Sequence, residues 1–228
     1  MALRVNKKMT LDSGSGDIFV LPQRKFAQER ARRTYESLIQ AAFQVFADKG
    51  FDGAQTPDIA GAAGVSVGTF YRYFADKREI FLEVMQLYLQ EGHAEVMKQL
   101  SPDKFAGKQK RATIEHTIDV LLDQVMRMPE LETVFLNMSL RDREVARLRR
   151  HMEQLSSDRI AALIEMITTR EQVGDPEATA YIINNAVVEC AIRIAGFRGK
   201  SPVPRERAVK ALSELVYRAL FGAEPADE

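Results

Sequence analysis

Apolar side chains recur every three or four residues along most of this chain, and this spacing predicts helices rather than strands. The first such segment begins at about Gln28, and its apolar positions are Tyr35, Leu38, Ile39, Ala42, Phe43 and Phe46. Lys49 and Gly50 follow, and a cation next to a glycine is typical of a helix C-terminus. We therefore predict an amphipathic helix that closes at Lys49 and Gly50.

Two short helices are predicted next. Thr56 and Pro57 suit the N-cap and the first position of a helix that runs to about Ala63. Gly64 can supply the left-handed turn, and Ser66 can cap a third helix that runs to about Tyr73. Two short helices joined by a turn that contains glycine form a helix-turn-helix.

The remainder of the chain predicts helices only. Asp76 and Glu79 are spaced as in a capping box, and they begin a long helix that ends near Leu100. Later helical segments are predicted at about residues 108–128, 130–138, 141–171, 176–196 and 204–222. No alternating strand pattern and no internal repeat is found, so the predicted fold class is all-α, with a small three-helix head and a larger helical body.

Composition places the chain among ordinary globular proteins. Its 228 residues are 46% hydrophobic and 28% charged, with a formal net charge of zero. Cys190 is the single cysteine, so an intramolecular disulfide is excluded and a reducing cytosol is the expected location. No stretch approaches the roughly 20 apolar residues of a membrane span. Residues 1–23 lack periodicity and are predicted to form a disordered N-terminal arm.

The charge is unevenly distributed. Residues 1–77 hold eleven Lys and Arg against eight Asp and Glu, which gives this part a net charge of +3. Arg33 belongs to a basic stretch between Pro22 and Glu36 that suits a phosphate-contacting surface. A solvated helix start would have the same composition, so charge alone leaves both interpretations open.

The third predicted helix would carry the recognition chemistry, because the second helix of a helix-turn-helix enters the major groove. Gly68 leaves room for close approach, Thr69 offers a hydroxyl and a methyl, and Val67 can contact a thymine methyl. Tyr71 and Tyr73 can bond phosphates through their hydroxyls, and Arg72 adds positive charge. Tyr71 and Tyr73 could instead be core aromatics, an interpretation better suited to Phe70 and Phe74.

Residues 30 to 80 contain a set of apolar and polar types at fixed spacing, namely Ala41-Ala42, Phe46, Gly50-Phe51, Thr56, Ile59-Ala60, Ala63-Gly64-Val65-Ser66, Gly68-Thr69-Phe70-Tyr71, Phe74 and Lys77. On these residues the segment resembles the TetR family of bacterial regulators. The resemblance implies that Ser66, Val67, Gly68 and Thr69 lie in or beside the groove, and that Thr56, Tyr71, Tyr73 and Lys77 contact phosphates. Gln55 and Pro57 depart from the family pattern at the start of the second helix.

The resemblance also implies an assembly and a partner. Residues 24–76 would form the DNA-binding domain, and residues 77–228 a helical domain for effector binding and dimerisation. The last two long helices would pair across a two-fold axis in a homodimer. The double-stranded DNA operator would then be palindromic, with half-sites about 34–36 Å or a multiple apart.

A small apolar effector would bind among the helices of the body. The candidate lining residues are mostly methionines and apolar side chains, namely Met97, Leu122, Met126, Phe135, Met138, Met152, Tyr181 and Asn185. Each of them could equally be an ordinary member of a helical core. Asn184 and Asn185 stand on an otherwise apolar helix, where a buried amide needs a partner.

Three functions therefore compete. The first is a repressor released from its operator by an effector, and the second is a DNA-binding regulator or architectural protein without a ligand. The third, an enzyme, is disfavoured because we find no catalytic residues: no nucleophile with its base, and no phosphate loop. The three histidines and Cys190 lack metal-ligand spacing, so we expect no metal and no cofactor.

Overall fold

In a computed structural model, the structure describes residues 26–107 and 109–222, which form nine α-helices, a short 3-10 helix at Pro102–Phe105 and no named strand. In chain order the α-helices are α1 (Glu29–Gly53), α2 (Thr56–Ala62), α3 (Val67–Tyr71), α4 (Lys77–Met97), α5 (Lys110–Val125), α6 (Pro129–Arg141), α7 (Arg143–Ile167), α8 (Pro176–Ile194) and α9 (Arg205–Phe221). The all-α prediction is confirmed. The arm predicted at residues 1–23 lies outside the described residues.

Gly50 has a φ of 69° and a ψ of 178°, which confirms the predicted close of the first helical segment at Lys49 and Gly50; a short helical stretch after this break extends α1 to Gly53. Two details of the predicted helices were wrong. Thr56 is the first residue of α2 and not its N-cap, because Gln55 takes that place and donates its N–H to Asp58 Oδ2 at 3.0 Å. The α3 helix ends at Tyr71, so Tyr73 lies in the turn that follows.

The described residues divide into two compact units. Unit 1 comprises the described residues of Met1–Glu91 with Glu130–His151, and unit 2 those of Gly92–Pro129 with Met152–Glu228. The first part of α4 and most of α6 belong to the same unit as the N-terminal helices, and the domain boundary after residue 76 stays a prediction. Side chains near residue 80 supply the core of unit 1.

Aromatic contacts between α1 and α4 form much of the core of unit 1. Phe81 of α4 meets Phe46 and Phe51 of α1 edge to face, with ring centroids 5.0 and 5.1 Å apart. Farther along the same two helices, Phe43 meets Tyr88 at 6.0 Å. Because aromatic rings at these separations attract beyond their area burial, α1 and α4 are held in a defined register.

Ion pairs join the start of α4 and the end of α1 to the corner between α6 and α7. Arg78 donates to both oxygens of Asp142, with 2.9 Å between Nη2 and Oδ1, and this guanidinium lowers the pKa of Asp142. Asp142 also caps α7 by accepting the backbone N–H of Glu144 and of Val145. A second pair joins Arg141 to Asp52 at 2.7 Å.

Unit 2 is built on α5, α8 and α9. Arg205, the first residue of α9, bonds Asp119 and Asp123 of α5 at 2.9 and 2.7 Å. Asn184 of α8 is buried, and its amide donates to Ser157 Oγ and to the carbonyl of Glu153, both at 3.3 Å. The buried apolar core of the unit comprises Phe105, Ile114, Ile118, Leu122, Ala161, Leu163, Ile164, Val173, Ala180, Ile183, Ala191, Val209, Leu212, Val216 and Leu220.

Burial predicts how two aliphatic side chains of unit 1 contribute to stability. Ile80 is fully buried on α4, whereas Leu140 at the end of α6 is 85% exposed. We expect Ile80→Ala to lower the free energy of unfolding by about 2–5 kcal/mol, because it opens a cavity. Leu140→Ala, the matched control, should change it by less than about 0.5 kcal/mol. Urea denaturation followed by circular dichroism measures both, and equal losses would contradict the assigned core.

Candidate nucleic-acid interface

The turn between α2 and α3 has the geometry expected of a helix-turn-helix. Gly64 has a φ of 69°, and its N–H donates to the carbonyl of Gly61 at 3.1 Å. The N–H of Val65 then donates to the carbonyl of Ala60 at 3.0 Å, which closes the end of α2. Ile59 of α2 and Phe70 of α3 are fully buried. They mark the inner faces of the two helices, and the opposite faces of α2 and α3 are presented to solvent.

Ser66 begins α3. It has an extended backbone, and its Oγ accepts the N–H of Thr69 at 3.1 Å, which is the N-cap predicted from the sequence. The same Oγ lies 3.0 Å from the hydroxyl of Thr69, so these two side chains orient each other. Ser66, Val67 and Gly68 are exposed and Thr69 is half-buried, which leaves a narrow polar and apolar surface at the start of the helix.

The aromatic residues of this segment divide by burial. Phe70 and Phe74 are buried, as core aromatics should be. Tyr71 is 55% exposed, Arg72 is exposed and Tyr73 is half-buried. The structure therefore places Tyr71 and Arg72 on the same outer surface as the start of α3, with Tyr73 beside the buried aromatics.

Gly68 has no steric reason within the chain to be glycine. A Cβ atom at this position would meet only Ser66 Oγ, at an ordinary 3.8 Å, and its φ is not left-handed. Glycine inside a helix costs stability relative to alanine. The open space above Gly68 therefore suits a partner that approaches the backbone closely.

Lys77 has an unexpected environment. Its ammonium group donates to the carbonyls of Phe51 and Ala54, both at 2.9 Å, and approaches the carbonyl of Asp52 at 3.4 Å. These carbonyls stand at the C-terminus of α1, where a cation interacts favourably with the helix dipole. The geometry favours this structural role over the phosphate contact predicted for Lys77, which stays a prediction.

Arg33 is exposed near the start of α1 and is partly neutralised. Its Nε lies 3.2 Å from Glu29 Oε1, and Arg32 bonds the same carboxylate at 2.6 Å. The hydrogen bond from Arg32, followed by that from Arg33, lowers the pKa of Glu29 to about 2. The carboxylate therefore stays charged until the pH falls through about 2, and its charge offsets part of the positive charge of the two arginines. The i,i+4 spacing of Glu29 and Arg33 is the sequence signal that indicates this pair.

Thr56 is half-buried as the first residue of α2. An anion at a helix N-terminus can bond the first free N–H groups, so Thr56 can contact a phosphate from this position although it is not the N-cap. The ten predicted DNA-binding residues lie near the start of α1, at the start of α2, along α3, in the turn after α3 and at the start of α4. All of them belong to unit 1.

The eight predicted effector-binding residues do not form one group. Phe135 and Met138 are buried in unit 1, whereas the other six belong to unit 2. Within unit 2, Leu122 is fully buried, and Met97 and Met152 are half-buried. Met126, Tyr181 and Asn185 are exposed, and the amide of Asn185 donates to the carbonyl of Tyr181 one turn back along α8.

A shallow groove of unit 2 lies elsewhere, near the turn between α7 and α8. Its lining is mainly polar and consists of Glu165, Thr168, Thr169, Arg170, Val173 and Pro176. None of the predicted effector-binding residues lines it. Over residues 26–107 and 109–222, no three acidic, histidine or cysteine side chains are grouped as metal ligands would be. Within those same ranges, no helix has the length and apolar character that a bilayer crossing requires.

An exposed α3 held on a buried aromatic core by a closed turn defines a helix-turn-helix DNA-binding protein. Residues 38–84 match the family model for bacterial regulatory proteins of the tetR family. The chain is 24% identical over 147 residues to the HTH-type transcriptional repressor NicS of Pseudomonas putida, an alignment that covers 64% of this chain and 67% of NicS. It is 41% identical over 65 residues to the HTH-type transcriptional regulator CymR, also of Pseudomonas putida, covering 28% of this chain and 32% of CymR.

The fold is similar to that of solved regulators over most of the chain. A crystal structure of a putative TetR-family transcriptional regulator from Mesorhizobium loti superposes with a TM-score of 0.71 at 22% identity, covering 83% of this chain and 98% of that one. Alignments with the curated relatives span between about a third and two thirds of their length. Residues 38–84 therefore carry the DNA-binding domain of TetR-family transcriptional regulators, and the fold of the chain is similar to that of solved regulators of this type.

The open space above Gly68 predicts a variant that separates folding from DNA binding. Gly68→Ala should stabilise the fold by up to about 1 kcal/mol, because alanine is the better helix former. It should weaken DNA binding by about tenfold or more if Gly68 faces the duplex as predicted, because the added methyl would then obstruct close approach. Fluorescence anisotropy with a labelled duplex and thermal unfolding measure the two effects.

The control for Gly68→Ala is Gly92→Ala. Gly92 is also a helical glycine, on α4 in unit 2, and its nearest neighbour would be Gln124 Oε1, likewise at 3.8 Å. This variant should gain similar stability and bind DNA as the wild type does. Equal DNA affinity in the two alanine variants would show that Gly68 does not face the duplex.

Glu29 predicts a variant that binds DNA more tightly. Glu29→Gln removes the carboxylate shared by Arg32 and Arg33, so the Arg33 guanidinium becomes available to phosphates while Arg32 keeps its ion pair with Glu36. We expect affinity to rise by about two- to fivefold, the range for a weak exposed ion pair, with a steeper salt dependence. Glu177→Gln, at the exposed first turn of α8, removes the same charge elsewhere and should have no effect. An equal gain in DNA affinity in both variants would show that the change in net charge, and not the release of Arg33, causes the effect.

Proposed function

We propose that this chain is a repressor that binds a palindromic operator as a homodimer and is released by a small, largely apolar effector. The observation that supports this most is the outward face of α3, with Val67 and Gly68 exposed and the Ser66 cap fixing its first turn. A helix with this exposure fits the major groove. A protein that controls transcription from bacterial DNA works in the cytoplasm.

The roles of the interface residues follow from their positions. Ser66, Val67, Gly68 and Thr69 would meet base edges, because they form the first, exposed turn of α3. The phosphate contacts would come from positions around that turn, namely Arg33, Thr56, Tyr71, Arg72 and Tyr73. Base contacts would specify the operator, and phosphate contacts would fix the position of α3 on it.

Dimerisation through α8 and α9 is supported by what these helices leave exposed. Tyr181 and Ile182 of α8 are 59% and 63% exposed, and Leu215 of α9 is 59% exposed. Most of the apolar face of both helices is already used in the core of unit 2. The exposed apolar side chains are therefore those available to a second copy, and a two-fold pairing would place two α3 helices on two half-sites.

An effector site is supported by the residues of the predicted set that lie inside unit 2. Leu122 is fully buried, and Met97 and Met152 are half-buried, so an apolar molecule could replace their present neighbours. For release of DNA, the effector must bind one conformation of the dimer more tightly than the other. An effector that raises the melting temperature without weakening operator binding would contradict this part of the proposal.

A regulator without a ligand is the second candidate. It is favoured by Asn184, whose buried amide already bonds Ser157 and the carbonyl of Glu153 and so needs no ligand. It is favoured also by the exposure of Met126, Tyr181 and Asn185. Native mass spectrometry of protein purified from its own host distinguishes the two candidates, because an effector-binding regulator should retain a small molecule that releases the operator.

The operator itself is the first test of the proposal. The wild-type protein should select from random-sequence DNA a two-fold symmetric site, with half-sites about 10–10.5 base pairs or a multiple apart. Footprinting should then show protection of both half-sites at moderate salt. Selection of no common sequence, with affinity that depends only on salt, would contradict the proposed function.

The dimer is tested by placing a charge on α9. Leu215→Glu should convert the dimer to a monomer in sedimentation experiments, because it would bury an unpaired carboxylate in the interface. Operator affinity should fall with it, since one α3 alone makes half of the contacts. Leu140→Glu, at an 85% exposed leucine of unit 1, is the matched control and should stay dimeric. A dimeric Leu215→Glu variant would exclude this face as the interface.

A further inference from the structure

A row of aromatic rings links the two tyrosines that flank the end of α3. In spatial order its members are Tyr73, Phe26, Tyr35, Phe74, Phe70 and Tyr71. Neighbouring ring centroids are between 5.0 and 6.3 Å apart. Separations in this range are those at which aromatic pairs attract one another. The two tyrosines with proposed phosphate contacts therefore stand at the two ends of one packed series.

Phe26 is the member of this row that lies before the first helix. It lies before α1, two residues ahead of the N-cap Gln28, and it is half-buried. Its ring is 5.0 Å from that of Tyr35 and 6.3 Å from that of Tyr73. Phe26 also lies outside residues 38–84, the segment that matches the family model.

Tyr35 gives the row a fixed point. It is buried on α1, its ring stacks on Phe74 at 5.9 Å, and its hydroxyl donates to the buried carboxylate of Glu83 on α4. A ring held at both its face and its hydroxyl cannot turn freely. Phe26 therefore packs between an anchored ring on one side and Tyr73 on the other.

This packing restricts the orientation of the Tyr73 side chain. Its backbone is held to α3, since its N–H donates to the carbonyl of Phe70 at 2.9 Å, but it lies in the turn beyond the last helical residue. A change of side-chain rotamer at this position would move the hydroxyl by several ångströms, which is more than a hydrogen bond to a phosphate tolerates. A ring packed against Tyr73 reduces the rotamers that it can adopt before DNA arrives.

We propose that Phe26 is a positioning residue for operator binding, which acts by holding the Tyr73 side chain in the orientation that bonds a DNA phosphate. The inference rests on the proposed function, because it assumes that Tyr73 contacts the operator. It adds a residue outside the helix-turn-helix to the set that determines affinity. Tyr71, at the opposite end of the row, is held by Phe70 and does not need Phe26.

A double-mutant cycle tests the inference in the full chain. The probe is the duplex that the wild-type protein selects from random-sequence DNA, with affinity measured by fluorescence anisotropy. Phe26→Ala and Tyr73→Phe should each weaken binding about tenfold, the effect of losing a hydrogen bond to a charged group. In the Tyr73→Phe background, Phe26→Ala should cost less than about twofold more, because the hydroxyl that it positions is absent.

Two further measurements distinguish positioning of the Tyr73 side chain from a general disruption of the fold. Phe26→Leu keeps an apolar side chain against Tyr73 and should stay within about threefold of wild-type affinity. The slope of affinity against salt should not change in Phe26→Ala, since tyrosine is neutral and releases no counterion when it binds phosphate. Arg72→Ala is the reference, and it should lower that slope by about 0.9 for each phosphate that the variant no longer neutralises.

The outcomes are distinct. If the loss of affinity in the double variant equals the product of the losses in Phe26→Ala and Tyr73→Phe, the inference is overturned, because Phe26 would then act independently of Tyr73. A reduced salt slope in Phe26→Ala would also overturn it, because a cation would be the group affected. If Phe26→Ala does not fold, Phe26→Val enters the same cycle with the same criterion. Failure of the proposed function would be seen earlier, in a wild-type protein that selects no sequence.

Discussion

The burial of Phe70 is the interaction on which the DNA-binding surface depends. A helix of five residues is too short to be stable in water by itself, so α3 exists because its inner side chain is fixed in the core of unit 1. With Phe70 pointing inward, the helical repeat places Gly68 and Tyr71 outward, whereas Val67 is exposed because it is the first residue of α3. The orientation of the recognition surface is therefore a consequence of core packing.

The polar groups around this core hold neighbouring segments and leave the outer face of α3 to solvent. Lys77 neutralises the carbonyl end of α1, and Arg78 binds the carboxylate that caps α7. Both residues stand at the beginning of α4, directly after the turn that carries Tyr73. The same short segment of chain therefore ends the DNA-binding motif and anchors it to the rest of unit 1.

Local sequence signals predicted the elements whose causes are local. Ser66 caps α3 and Gly64 adopts a left-handed φ because each of these outcomes depends on a few adjacent residues. The role of Lys77 could not be predicted in this way, since its partners are more than twenty residues away along the chain. The helix break at Gly50 was predicted correctly, because a glycine of positive φ interrupts a helix through its own local conformation.

The effector-binding residues were the hardest to predict from the sequence, because, as for Lys77, the residues that pack against them are distant along the chain. Methionine and leucine at helical spacing indicate an apolar face, but periodicity does not tell which neighbour covers that face. Leu122 is in the core, whereas Tyr181 on a similar pattern is exposed. The partner of Asn184, Ser157 on α7, is likewise set by how α7 and α8 pack and not by the sequence of either helix.

The central claim is that the start of α3 lies in the major groove of each half-site. It is tested most directly by attaching an iron chelate that generates hydroxyl radicals to Val67→Cys, in a chain where Cys190→Ser leaves no other thiol. The account predicts DNA cleavage confined to two regions of the selected operator, related by its two-fold axis. Protein that remains bound to the operator without such cleavage would contradict it.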